Sequence, residues 1–130
     1  ITIENAKGSK RSGVDKGGKP WSVSLPAHYG YIKGSVGADK DHVDVYLGPH
    51  LKSSRVFVID QRDAEIGKFD EHKCFIGFAS AAQARTCYLK AFSDGKGKAR
   101  LGAMHEADID GFKTWLADGD ITKPLGNKAA

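Results

Sequence analysis

The sequence predicts an α+β domain, with five or six short strands ahead of two helices. Three observations carry that expectation. Val43, Val45 and Leu47 alternate with Asp44 and Tyr46, the period-2 pattern of a strand with one apolar face. Ser80-Ala81-Ala82-Gln83 is a capping box, with Ser80 as N-cap and Gln83 at the third helical position. Asp108 caps a last helix whose apolar stripe is Ile109, Phe112, Trp115 and Leu116, and Gly119 ends it.

Taken in order, the basic, Gly-rich stretch from Lys7 to Pro20 reads as loops or a hairpin. Trp21, Val23 and Leu25 alternate with Ser22 and Ser24 in a short strand that Pro26 stops. Tyr29 and Tyr31 share one face of the next strand, with Gly30 and Ile32 on the other. After Val43–Leu47, Gly48-Pro49-His50 turns the chain into Arg55–Asp60, nearly all apolar. The loop 61–67 leads to Lys68–Phe78, where strand parity puts Glu71 and Lys73 on one face. A helix follows the capping box to Phe92 and stops at Asp94-Gly95, and Gly95–Arg100 reads as a basic loop.

Length and composition allow one domain spanning residues 1–130. With 130 residues, 40% of them apolar, the chain can bury one core. There is no apolar run long enough to span a membrane and no signal peptide. Cys74 and Cys87 lack metal-ligand spacing and read as reduced thiols of a cytoplasmic protein. A start at Ile1 suggests a piece of a longer chain. The formal charge of +4 permits a polyanionic ligand without requiring nucleic acid.

The chemistry concentrates in Asp39-Lys40-Asp41-His42-Val43-Asp44. Three carboxylates in six positions repel one another, and a cation relieves the repulsion. Hard oxygen donors without cysteine suit Mg²⁺, with Mn²⁺ as the alternative ion. An EF-hand is excluded, because its fifth and twelfth loop positions would be Val43 and His50. The plain alternative is an acidic turn solvated at a strand start. His28 and His42 read as surface or hydrogen-bonded histidines rather than ligands.

Pro26-Ala27-His28-Tyr29-Gly30-Tyr31-Ile32-Lys33-Gly34-Ser35, running into Asp39–Val45, resembles the signature of the soluble (family I) inorganic pyrophosphatases. Gly18-Lys19-Pro20-Trp21, Lys33-Gly34-Ser35, Asp41-His42-Val43-Asp44-Val45 and Phe69-Asp70-Glu71-His72-Lys73 resemble, more closely, the short pyrophosphatase-like domain of polyvalent proteins from phages and conjugative elements. The resemblance spans residues 3 to about 78. It implies a small closed β-barrel of the OB type with helices outside, and Mg²⁺-dependent hydrolysis of a phosphoanhydride, most simply pyrophosphate to two orthophosphates.

The resemblance also assigns residues. Asp39, Asp44 and Asp70 (or Glu71) hold two metal ions, assisted by Asp63 and Glu4. Asp70 ranks before Glu71 on subgroup resemblance, although Glu71 keeps the family's two-residue spacing to Lys73 and shares its strand face. Asp41 acts on the attacking water. Tyr29, Lys73 and Arg11 (with Lys10 as the alternative to Arg11) meet the phosphate. The family's further arginine has no match, since Gly17 falls near its place; Lys19 or Lys16 could substitute. His42 stands where the family has proline. Tyr88 and Lys90 are only loose counterparts of a late Tyr-Lys pair. The expected partner is therefore a small phosphate-containing substrate. The competing class is a non-catalytic barrel, either binding single-stranded nucleic acid or serving as a structural part of a larger protein. Carboxylates facing a groove disfavour nucleic acid, because they repel phosphates unless metals intervene.

Overall fold

The computed structural model describes residues 1–15, 17–35, 42–93 and 95–125. In chain order the elements are β1 (Thr2–Asn5), β2 (Lys10–Val14), β3 (Pro20–Ser24), β4 (His28–Ile32), β5 (Val43–Leu47), β6 (Arg55–Arg62), β7 (Phe69–Ile76), α1 (Ala81–Lys90), α2 (Gly97–Arg100), β8 (Leu101–Asp108) and α3 (Ile109–Asp118). Six strands form a mixed sheet in the order β1-β4-β5-β7-β6-β8, and β2 and β3 form a separate antiparallel hairpin. Only the β5–β7 pair is parallel among these neighbours. No pairing joins β1 to β8 among the described residues. The α+β expectation therefore stands as a large mixed sheet with three helices rather than two.

Strand alternation sorts the core into two clusters, one on each face of the sheet. Tyr29, Tyr46, Phe57, Ile59 and Phe75 face Ala84, Cys87 and Tyr88 of α1. Val43, Val45, Val56, Val58 and Cys74 face Phe112 and Trp115 of α3. The parity read from Val43–Leu47 is thus correct, but the Asp44/Tyr46 face is a second packed face rather than a solvated one. Gly30 lets β1 approach β4: a Cβ there would lie 1.8 Å from the Thr2 carbonyl oxygen.

Both expected helix starts are present. Ser80 Oγ accepts from Gln83 N at 3.2 Å, while Gln83 Oε1 accepts from Ala79 N, one residue before the cap. Asp108 Oδ1 accepts from Gly111 N at 2.7 Å. Three differences separate structure from expectation. α1 ends at Lys90 with Ala91 as its C-cap, Gly97–Arg100 is a short helix rather than a loop, and β1 and β8 are additional strands. No helix is long and apolar enough to cross a membrane among the described residues.

Candidate active site

The α1-facing side of the sheet carries the polar groups at one end. Cross-strand register sets Tyr31, Asp44, Lys73 and Ile59 in one row, and Glu71 opposite Gln61 in the next. Lys73 is consequently buried, 7% exposed, with its ammonium among oxygens. Its Nζ lies 2.6 Å from Asp44 Oδ2, 2.6 Å from Glu71 Oε1 and 2.9 Å from the Tyr29 hydroxyl. Burial opposes its charge, but Tyr29, Asp44 and Glu71 outweigh burial and hold its pKa well above the ordinary lysine value. These oxygens favour the charged form of Lys73.

Tyr29 is buried, and burial raises its pKa although Lys73 pulls the other way. Its hydroxyl accepts from Lys73, so it retains a proton to donate. The Arg11 guanidinium lies over its ring, 4.9 Å from the centroid, and 5.9 Å from that of Trp21. These contacts set the β2–β3 hairpin beside the sheet. Arg11, Trp21, Gln61, Glu71, Lys73 and Arg100 are among the residues lining a cavity of about 330 Å³.

Strand parity puts Glu71 on the face of Lys73, where the structure has it, while Asp70 is exposed and reaches the neighbourhood by another route. Gln61 pairs with Glu71 but Arg62 with Phe69, which leaves Asp70 as the extra residue of a β-bulge. Gln61 Nε2 donates to Asp70 Oδ2 at 3.2 Å, so Asp70 sits beside the cavity-lining residues as well.

Other predicted residues lie apart. Asp63 Oδ1 accepts from Glu65 N and Ile66 N in a turn after β6. It borders an adjoining cavity of about 400 Å³ that shares Asp15 and Arg100 with the first. Glu4 is exposed at the irregularity in β1, and Lys10 is exposed on β2. Lys19 is exposed, its backbone N donating to Asp15 Oδ1 at 2.8 Å. None of these three lines the main cavity. Asp39, Asp41 and Lys16 fall outside the described residues. His28 and His42 are hydrogen-bonded as expected, His28 Nδ1 accepting from Lys7 N and His42 Nδ1 facing Ser35 O. Gln61, Trp21 and Arg100 join the cavity without having been anticipated. Gln61 had a signal, as a polar side chain on the parity of Phe57 and Ile59 in an apolar strand.

The donor chemistry suits a hard divalent cation. Asp44 and Glu71 present hard carboxylate oxygens, the donor type that Mg²⁺ takes, and both engage the Lys73 ammonium. Among the described residues, no three histidine, cysteine or acidic side chains form a metal-binding group by themselves.

A family model described as Inorganic Pyrophosphatase matches residues 1–117. Among solved structures, an inorganic phosphatase from Anaplasma phagocytophilum superposes with a TM-score of 0.54 at 17% identity, covering 92% of this chain and 88% of that one. An inorganic pyrophosphatase from Ehrlichia chaffeensis gives 0.48 at 16% identity, covering 91% and 90%. Comparison with curated proteins gives no match.

Proposed function

Because the chain belongs to the inorganic pyrophosphatase family, we propose that the cavity around Lys73 hydrolyses a phosphoanhydride, with inorganic pyrophosphate as substrate and two orthophosphates as products. One observation carries this reading. A buried ammonium is held by Asp44, Glu71 and Tyr29 at a cavity that also takes in Arg11 and Arg100. Such a fixed cation stabilises charge developing on a phosphate in a partly desolvated site without reorganising during the reaction. Arg11 adds paired donors that fit phosphate oxygens, and Tyr29 adds a donor.

Asp44, Asp70 and Glu71, with Asp39 from the acidic turn and assistance from Asp63 and Glu4, are the residues to hold Mg²⁺ (or Mn²⁺). Bound there, the ions would supply Lewis-acid activation of water and charge neutralisation. Asp41 serves as general base. This reading keeps residues 1–130 as one cytoplasmic domain with a small soluble substrate. It also keeps the OB-type barrel as the proposed architecture, with the β2–β3 hairpin as part of its wall. The Asp-His-Val-Asp-Val and Phe-Asp-Glu-His-Lys motifs support the short form of the domain carried by polyvalent proteins of mobile elements.

The test is orthophosphate release from pyrophosphate with and without Mg²⁺. Turnover is expected only with the ion, and Asp41→Asn is expected to fold normally while losing about 10²–10⁴ in rate. No release under either condition sinks the reading. Full activity of Asp41→Asn removes Asp41 from its role.

A further inference from the structure

Asp70 owes its place to two residues outside the acidic motifs. Strict alternation along β7 would put it with His72 and Cys74, on the face covered by α3. The bulge frees it from that alternation. Here Gln61 Nε2 donates to Asp70 Oδ2 at 3.2 Å. Gln61 Oε1 in turn accepts from the Tyr88 hydroxyl at 2.8 Å. Tyr88 is fully buried on α1, with its ring edge-on to Phe75 and Phe92.

The direction of this chain of hydrogen bonds is fixed by donor inventory. An ionised carboxylate only accepts, so Gln61 must turn its NH₂ to Asp70. Its carbonyl oxygen then faces Tyr88, whose hydroxyl must donate. A tyrosine locked in the core therefore sets the amide, and the amide sets the carboxylate.

We propose that Tyr88 and Gln61 are positioning residues that aim the Asp70 carboxylate at the divalent cation of the hydrolytic site. The inference rests on the function proposed above and assigns that site two residues that act through Asp70. Partners of ligating groups typically change metal affinity or activity by about 10–100-fold when removed.

Tyr88→Phe deletes only the hydroxyl, and Gln61→Met keeps the shape while deleting both hydrogen bonds. Mg²⁺ affinity is measured by calorimetry on the substrate-free full chain, alongside the thermal midpoint and pyrophosphate turnover against Mg²⁺ concentration. Each variant is expected to bind Mg²⁺ about tenfold more weakly and to recover most of its turnover at saturating Mg²⁺. The double variant is expected to be no weaker than Gln61→Met, because Tyr88 acts only through Gln61. A lowered thermal midpoint with unchanged Mg²⁺ affinity overturns the inference, leaving a structural hydrogen bond. Wild-type chain that binds Mg²⁺ but does not cleave pyrophosphate sinks the proposed reaction alone, and the calorimetry still decides the inference. Wild-type chain that binds no Mg²⁺ overturns the inference outright.

Discussion

Strand β7 carries a cluster of ionisable side chains on each face, each built around a buried residue of the strand, and the two differ in what they hold. On the α1 side, Lys73 is gripped by the side chains of Asp44, Glu71 and Tyr29, and both Lys73 and Glu71 reach the 330 Å³ cavity. On the α3 side, Asp60 sits 3.3 Å from His72 and 3.1 Å from His105. Asp60 Oδ1 also accepts from the backbone N of Leu125 at 2.9 Å. His72 is boxed in by Phe69 and the edge of Trp115. Neither of its ring nitrogens has a well-aimed hydrogen bond. Both clusters have a buried residue of β7 at their centre, Lys73 or His72, so burial of that residue does not distinguish a site from a brace. The kind of partner does: Asp60 ties the chain after α3 to the sheet, whereas Lys73 binds side chains that converge on open space.

The largest expected effect that tests this contrast is at Lys73. Lys73→Ala removes a fixed cation and leaves Asp44 and Glu71 without the charge between them. We expect a loss of about 10²-fold or more in pyrophosphate turnover, the usual scale for one preorganised charge-stabilising donor. Lys98→Ala, on exposed α2, should stay within about twofold, as expected for a solvated surface charge. Equal, small losses from both would reduce the α1-side cluster to a second brace.

Asp60→Asn should do the reverse. The amide keeps an acceptor for Leu125 N but takes away the carboxylate that His72 and His105 face, so stability should drop by roughly 1–3 kcal/mol. Turnover per folded molecule should stay within about twofold of wild type, an order-of-magnitude expectation for a side chain on the opposite face of the sheet from the cavity. Urea denaturation gives the first quantity and the phosphate assay the second. A collapse of activity with the fold intact would mean that the α3 side is part of the site.

How much of this was legible in the sequence depends on range. Local signals worked: the Val43–Leu47 parity, the Ser80 cap and the Asp108 cap all describe the structure. Lys73, Glu71, Asp44, Tyr29 and Arg11 were named from motifs and do meet. Strand β8 was hidden because Leu101–Asp108 mixes apolar and polar residues on both parities. It is a strand through its pairing with β6. The Asp70/Glu71 ambiguity had the same root, since a bulge is set by a partner strand's register and leaves no trace in periodicity. Gln61 and Tyr88 are 27 residues apart and become one unit only when α1 packs on the sheet.

The smallest expected effect compares the two faces through their thiols. Cys74 lies on the α3 side, fully buried, and Cys87 packs on the α1 side at 6% exposure. Burial pushes the Cys87 thiol up to about 12 against the pull of Lys90 and Lys7, and pushes Cys74 higher still, helped by Asp44. Both pKa values are raised above that of an unfolded thiol, so the folded chain holds these protons more tightly. The resulting stability is complete below about pH 9 and is lost as pH rises from there toward 12. Alkylation at pH 8 should therefore be slow in native protein, with Cys87 modified before Cys74, and fast for both in urea. Mass spectrometry of the modified peptides reads the order. Cys74 reacting first would show that the α3 side opens more readily than the α1 side, and would deny Asp60 its role as the brace.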